Sequence, residues 1–268
     1  MLGKILVVLF GLFNYSFART INLSNNNFVS LIGPVSQSSV DDTIKSLNSK
    51  SIIEYMNDNQ NINIYINSPG GSVFAGNHLV QYIRTLQASN INVNCIAQNF
   101  MSMAFIIMQS CTNRYVMFDS VGMQHQISFG ISGNIENFKT YFGLIERVNN
   151  FLIDMEINKI GITKEVYLQK VISDWWIYGE DNIKYNIADE LITLKCNPSI
   201  LSEKNKKTEY FYGSEYEIEL NKCPLIHEIK ITDKSSKKSI EKNSSKIYEM
   251  FDFENYPFNV KTILNNFH

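Results

Sequence analysis

A surplus of charge is missing from this chain: 24 Lys and Arg stand against 26 Asp and Glu, for a formal net charge of -2 over 268 residues. The basic residues are scattered through most of the chain, so no face is built to hold a polyphosphate and a nucleic-acid partner is excluded. Cysteine is scarce. Cys95, Cys111, Cys196 and Cys223 are the only four, and none stand at metal-ligand spacing, so no metal site is indicated. Long apolar runs are scarce too: the one at the N-terminus, Ile5 to Phe13, is too short for a comfortable membrane span. Histidine occurs four times, at His78, His125, His227 and His268, which leaves few candidates for a general base.

What the chain does have is a core. With 44% hydrophobic and 19% charged residues, it can bury one substantial domain and carry an appendage. Residues 1–18, "MLGKILVVLFGLFNYSFA", have an early Lys4, the apolar run and small Ala18 at the end. That is the layout of a cleaved secretory signal peptide, which would send the protein into the secretory route or an organelle; without it the chain would stay cytoplasmic. In an oxidising compartment the cysteines become possible disulfide partners. Cys95 and Cys111 lie inside expected core elements and are read as buried free thiols.

From residue 19 strands and helices alternate. "NFVSLIG" reads as a strand closed by Gly33-Pro34, and Val40, Ile44 and Leu47, then Ile52, Ile53 and Met56, fall at helical spacing. "INIYINS" is a β-branched strand broken at Pro69-Gly70-Gly71, after which Val73, Gly76, Leu79, Val80, Ile83 and Leu86 mark one helix face. "INVNCIA" is a third strand, followed by a helix from Ser102 to about Ser110, and "RYVMF" and "GMQHQ" read as two short strands. Ile135, Phe138, Phe142, Ile145, Val148, Leu152 and Met155 then trace a long amphipathic helix. The repeated order implies βαβ units and a parallel sheet with right-handed crossovers. Residues 198–268 are polar and rich in Lys and Ser, and are expected to be weakly ordered or a small accessory segment, with Lys234 to Lys246 as a solvated stretch.

Three features bear on chemistry. The glycines of Ser68-Pro69-Gly70-Gly71 permit a sharp turn and leave amides open to serve as oxyanion donors. Ser102 begins a helix after the third strand, where a side chain is either an N-cap or a nucleophile near the positive helix end, with the Met103 amide as a second donor. His125 ends a strand expected beside that helix, and Asp174 sits next to Trp175 and Trp176, suited to orient an imidazolium in apolar surroundings.

Taken together, "YINSPGGSVFAGNHLVQYIRTL", "SMAF", "GMQHQ" and "SDWWIYGEDNIKYNIADEL" resemble the proteolytic subunit of the Clp protease, the ClpP family of serine peptidases, from about Phe28 to Leu194. The resemblance implies an α/β fold: a ClpP/crotonase-like spiral of βαβ units with a mostly parallel sheet and a protruding handle helix, confined to residues 19–197. It implies a serine endopeptidase that needs no cofactor, with Ser102 as nucleophile, His125 as base and then acid, Asp174 orienting the histidine, and Gly70, Gly71 and Met103 around the oxyanion. The substrate would be a peptide or unfolded protein. The resemblance also implies a homo- or hetero-oligomeric ring in which the apolar face from Ile135 to Met155 is covered by a partner subunit, and an ATP-dependent unfoldase as companion.

The chain departs from the family at one place. Between Gln98 and Ser102 stand Asn99, Phe100 and Met101, one residue more than the family pattern, so an ungapped register drops Met101 onto the nucleophile's place. The preferred register keeps Ser102-Met103 as the family's Ser-Met pair and lets the strand-to-helix loop absorb the insertion. Two other readings stand beside the peptidase: a catalytically inactive scaffold subunit of a mixed ring, and a crotonase-like acyl-CoA enzyme sharing the βαβ spiral.

Overall fold

The structure is a computed structural model, and it describes residues 18–211, 214–226, 228–234 and 239–243. The chain runs through β1 (Arg19–Leu23), β2 (Phe28–Ile32), α1 (Gln37–Leu47), α2 (Lys50–Asn59), β3 (Asn61–Ser68), α3 (Val73–Ala88), β4 (Asn92–Met101), α4 (Met103–Ser110) and β5 (Asn113–Gln124). It continues through α5 (Ile135–Ile160), α6 (Lys164–Lys170), β6 (Trp175–Tyr178), α7 (Asp181–Lys184), β7 (Glu190–Cys196), α8 (Pro198–Leu201) and β8 (Lys204–Phe211), and closes with β9 (Ser214–Asn221), β10 (Glu228–Asp233) and β11 (Ser239–Asn243). The proposed signal segment lies outside the described residues.

Seven strands form the central sheet, in the order β1-β7-β5-β4-β3-β2, with β6 added against the far end of β5. All pairs are parallel except β5 with β6, so the chain is an α/β protein with the expected mostly parallel sheet. β3 is buried along nearly its whole length, because helices lie on one face and the C-terminal extension on the other. On the helix side, Ile64, Ile66, Leu79, Ile83, Phe105 and Ile107 are fully buried in the larger core. On the opposite face Tyr65, Ile96 and Ile192 pack with Ile200 and Cys223. The extension therefore completes the core of the sheet.

Several expectations are corrected by packing. β1 was not foreseen; its mixed residues "RTINL" form a strand only because β7 arrives beside it, pairing Arg19 with Ile192. "RYVMF" and the first three residues of "GMQHQ" belong to one strand, β5, which ends at Gln124 just before His125. Its middle bulges away from β4, whose pairing passes from Ala97↔Val116 to Asn99↔Val121. Buried Ser120 staples that bulge: its hydroxyl accepts from the Met117 amide at 2.7 Å and donates to the Ala97 carbonyl at 2.6 Å. Cys95 and Cys111 are not free thiols: they are joined in a disulfide, as are Cys196 and Cys223. β4 and the end of α4 bring the first pair to a Cα separation of 5.8 Å, within bridging range.

The C-terminal extension is not weakly ordered over its described part. β8 to β11 form a four-stranded antiparallel sheet. On β9, Tyr216, Ile218 and Leu220 alternate with Glu215, Glu217 and Glu219, so a polar sequence still presents one apolar face. Ile218 and Ile231 are buried on it, while Lys206 pairs with Glu217 and Glu219 on the other. Of the Lys run, residues 235–238 and those beyond 243 lie outside the described residues.

Candidate active site

β4 and β5 lie side by side and parallel, pairing Met101 with Met123, so the residues just past each strand meet at the carboxyl edge of the sheet, the usual place for a site in such a fold. Ser102 follows β4 and His125 follows β5. The Ser102 Oγ and His125 Nε2 lie 2.8 Å apart. The Ser102 hydroxyl makes no capping hydrogen bond to α4, so the choice posed by its position resolves geometrically: the oxygen faces the imidazole rather than the helix amides.

The local backbone explains how. Ser102 has φ 52° and ψ -121°, a left-handed φ that costs a non-glycine residue about 1–3 kcal/mol and persists only where the surroundings fix it. They do: its amide donates to the Met123 carbonyl at 2.8 Å, and its carbonyl accepts from Phe105 and Ile106. Behind it α4 is apolar all round and buried from Met103 to Gln109, which anchors the turn in the core. The extra residue ahead of the serine is absorbed by a bulge, not by the strand-to-helix loop. β3 pairs Ile66 with Ala97 and then Asn67 with Asn99, so Gln98 is skipped. Met101 remains a buried strand residue, 3% exposed.

The glycines divide their roles. The Gly70 amide donates to the Ser68 Oγ at 3.1 Å. A Cβ on Gly70 would lie 2.5 Å from the Met101 carbonyl oxygen and 2.9 Å from the Met103 nitrogen, so Gly70 is what lets the turn press against the serine loop. Gly71, paired through its neighbours to Val35, lines the cavity with Met103, Ser102 and His125. Among the described residues neither the Gly71 nor the Met103 amide donates to a protein acceptor, and both residues line the cavity.

Asp174 is exposed. β6 pairs antiparallel with β5, ending with Gln124 opposite Trp175; His125 and Asp174 are the chain neighbours of that last pair. Among the described residues its carboxylate makes no hydrogen bond to the histidine, so serine and histidine are brought into contact and the aspartate is not. His227 and His268 lie outside the described residues. Trp175 is buried against Phe105, as packing requires, while Trp176 is half exposed.

The sequence reasoning missed the base of the cavity. Glu156 of α5 is 1% exposed; its Oε1 accepts from Gln124 Nε2 and its Oε2 meets the Tyr167 hydroxyl at 2.8 Å. The Gln124 Oε1 in turn accepts the His125 amide at 3.1 Å. Burial pushes the Glu156 pKa up to about 8, against the two hydrogen bonds, and burial and the neighbouring acid also raise that of Tyr167. A signal was available: Glu156 lies four residues from both Leu152 and Ile160, inside the apolar stripe of its helix.

The first half of α5 leaves its apolar side in the open, with Ile135 72%, Phe138 48% and Phe142 44% exposed, while Ile145, Leu152 and Ile160 are buried within the chain. The face expected to run unbroken from Ile135 to Met155 thus splits in two.

Comparison with known proteins agrees in one direction. Residues 15–195 match the family described as Clp protease. Among curated proteins the chain is similar to the ATP-dependent Clp protease proteolytic subunit of Borreliella afzelii, 28% identical over 174 residues, which cover 63% of this chain and 85% of the relative. It is similar in the same measure to proteolytic subunit 1 of Borreliella burgdorferi, 28% identical over 63% of this chain and 86% of the relative. With the subunit of Deinococcus radiodurans it shares 26% over 53% of this chain and 69% of the relative.

Proposed function

This chain belongs to the Clp protease family, and on that premise we propose that it is a serine endopeptidase acting on peptides or unfolded proteins. The observation that carries the proposal is the 2.8 Å approach of Ser102 Oγ to His125 Nε2 with the hydroxyl turned away from the helix it begins. Ser102 Oγ attacks the scissile carbonyl carbon as His125 Nε2 takes its proton. The tetrahedral oxyanion is held by the Gly71 and Met103 amides, which have no other acceptor among the described residues. His125 returns the proton to the leaving amine, leaving an ester on Ser102. Water, deprotonated by His125, then hydrolyses the ester and restores the serine. Asp174, which immediately precedes Trp175 in the pair Gln124↔Trp175, is assigned to hold Nδ1 and stabilise the imidazolium, which requires its carboxylate to turn onto the ring.

The working form in this proposal is a ring of such subunits served by an ATP-dependent unfoldase; the relatives are named as proteolytic subunits of an ATP-dependent protease, which supports a multi-subunit assembly. The open apolar turns of α5 at Ile135, Phe138 and Phe142 supply a surface that a neighbouring subunit would cover. Residues 1–18 are assigned to a signal peptide, 19–197 to the peptidase domain and 198–268 to an extension. The two disulfides support an oxidising compartment.

The test is hydrolysis of an unstructured fluorogenic peptide by the purified mature chain. Ser102→Ala and His125→Ala should each abolish it, and Asp174→Asn should lower kcat by about 100-fold or more. A Ser102→Ala protein that cleaves at the wild-type rate refutes the proposal.

A further inference from the structure

A carboxyl group buried without a cation beside a nucleophile calls for an explanation. Glu156 is 1% exposed, and among the described residues no Lys or Arg forms a salt bridge with it. Its partners, Gln124 and Tyr167, are neutral. Buried acids are ordinarily paired with a positive charge, because an unpaired one is expensive to ionise. Nothing in the packing of α5 demands an acid here, since the positions one turn to either side, Leu152 and Ile160, are apolar.

Although 1% exposed, Glu156 is among the residues that line the cavity beside Ser102 and His125. Met103, Ile106 and Leu152 are among its lining, beside the polar Gln126, Ser128 and Asn149, and offer contacts to an aliphatic stem. The carboxyl oxygens each hold one hydrogen bond, and a carboxylate has about four acceptor sites, so roughly two are left for a donor entering from the cavity. A cavity of mixed lining that holds both aliphatic side chains and an acid with no cationic partner is complementary to a long side chain with a cationic head.

We propose that Glu156 is a specificity-determining residue that recognises the ammonium or guanidinium of a Lys or Arg side chain seated in this cavity, on the residue whose carbonyl Ser102 attacks. This deepens the peptidase assignment of Ser102 and rests on it. The charge arrives with the substrate: Gln124 Nε2 stays bound to one carboxyl oxygen, fixed by the His125 amide on its Oε1, and the incoming cation shares the carboxylate with the Tyr167 hydroxyl. The titratable groups facing Glu156 are Tyr167 from α6 and His125 after β5; α4 and the start of α3 present only Met103, Ile106 and Val73. With burial holding the empty-cavity pKa at about 8, the acid is mostly protonated at pH 7, and cation recognition has to compete with that proton.

The experiment compares kcat/KM for fluorogenic peptides differing only in the residue before the scissile bond, Lys, Arg or Leu. The Lys/Leu and Arg/Leu ratios are the readout, because any loss common to all substrates cancels. The expected result is a ratio above ten in the wild type that rises roughly tenfold from pH 7 to pH 9 as the free acid ionises, and a ratio near one in Glu156→Gln with no such rise. A wild-type preference for Leu, or a Lys preference that survives in Glu156→Gln, overturns the proposal. The wild-type pH profile stands as evidence even if the variant does not fold. A second measurement separates the cavity from the chemistry: n-butylammonium should raise the Tm of the Ser102→Ala protein, and uncharged n-pentanol should not. If no peptide is cleaved yet the ammonium stabilises, the peptidase assignment fails and the cation site stands; if peptides are cleaved and the ammonium does nothing, the cation site fails alone.

Discussion

Replacing Gly70 by alanine tests how tightly the turn after β3 is fitted to the serine loop, and Gly33 supplies the matched control. Both glycines have left-handed backbones, φ 89° at Gly70 and 83° at Gly33, so alanine at either position carries a similar conformational cost of about 1–2 kcal/mol. Their surroundings differ. At Gly33 the added methyl meets nothing within 4 Å, whereas at Gly70 it lies 2.5 Å from the Met101 carbonyl oxygen, 2.7 Å from Ser102 Cβ and 2.9 Å from the Met103 nitrogen. Two of those three are backbone atoms, which cannot rotate aside as a flexible side chain would. Relief requires the serine loop to retreat by roughly 0.5–1 Å, an overpacking cost of about 1–3 kcal/mol beyond the backbone term. A retreat of that size moves Ser102 Oγ off His125 and the Met103 amide off the oxyanion, enough to cost about 100-fold in rate. The assay is kcat/KM on one peptide substrate beside thermal melts of both variants. Gly33→Ala should lose stability and keep activity; Gly70→Ala should lose more stability and about 100-fold in kcat/KM. Equal activity in the two variants would refute the close-approach reasoning.

Three further outcomes are expected. The raised pKa of Glu156 means that the folded state holds its proton more tightly than the unfolded chain, so its contribution is full below the ordinary carboxyl range and is lost as pH rises through about 8; melts of Glu156→Gln should therefore gain on wild type with rising pH, by on the order of 4 kcal/mol at pH 9, and a gap independent of pH would contradict the burial argument. Arg114, 2% exposed, is held by Asp189, Gln109 and Asn186, so Asp189→Ala should cost about 3 kcal/mol in urea unfolding by leaving a buried cation uncompensated; burial opposes the Asp189 charge, but Arg114 outweighs it and lowers the pKa, so what this carboxylate contributes is present above the ordinary range and lost as pH falls below it. Removing the Cys196–Cys223 bridge, which closes a 27-residue separation, by serine at both positions should lower stability by about 3 kcal/mol, and a null effect would show that the extension is held by packing alone.

The parts legible in the sequence are those fixed by local pattern. The β-branched run of β3, the break at Pro69-Gly70-Gly71, and the apolar face at Leu79, Val80 and Ile83 identify strand and helix without reference to any neighbour. The parts that escaped depend on distant partners. Where the extra residue ahead of Ser102 is taken up turns on a bulge at Gln98, set by the pairing of β4 with β3 and β5, and not on the strand-to-helix loop that the preferred register had assigned to it. The Cys95–Cys111 bridge joins residues 16 apart on separate elements, and β1 exists only because β7 closes beside it. Asp174 was proposed from the resemblance, but side-chain contact with His125 is a matter of rotamer that no spacing specifies. Glu156 was readable and passed over: an acid inside an apolar stripe is an exception that a count of apolar residues conceals.

The most direct test of the central claim is fluorophosphonate labelling of the purified mature chain, followed by peptide mapping. An activated nucleophile predicts one adduct, on Ser102, lost in His125→Ala. A folded protein that takes no label, or takes it elsewhere, would contradict the assignment of Ser102 as the nucleophile.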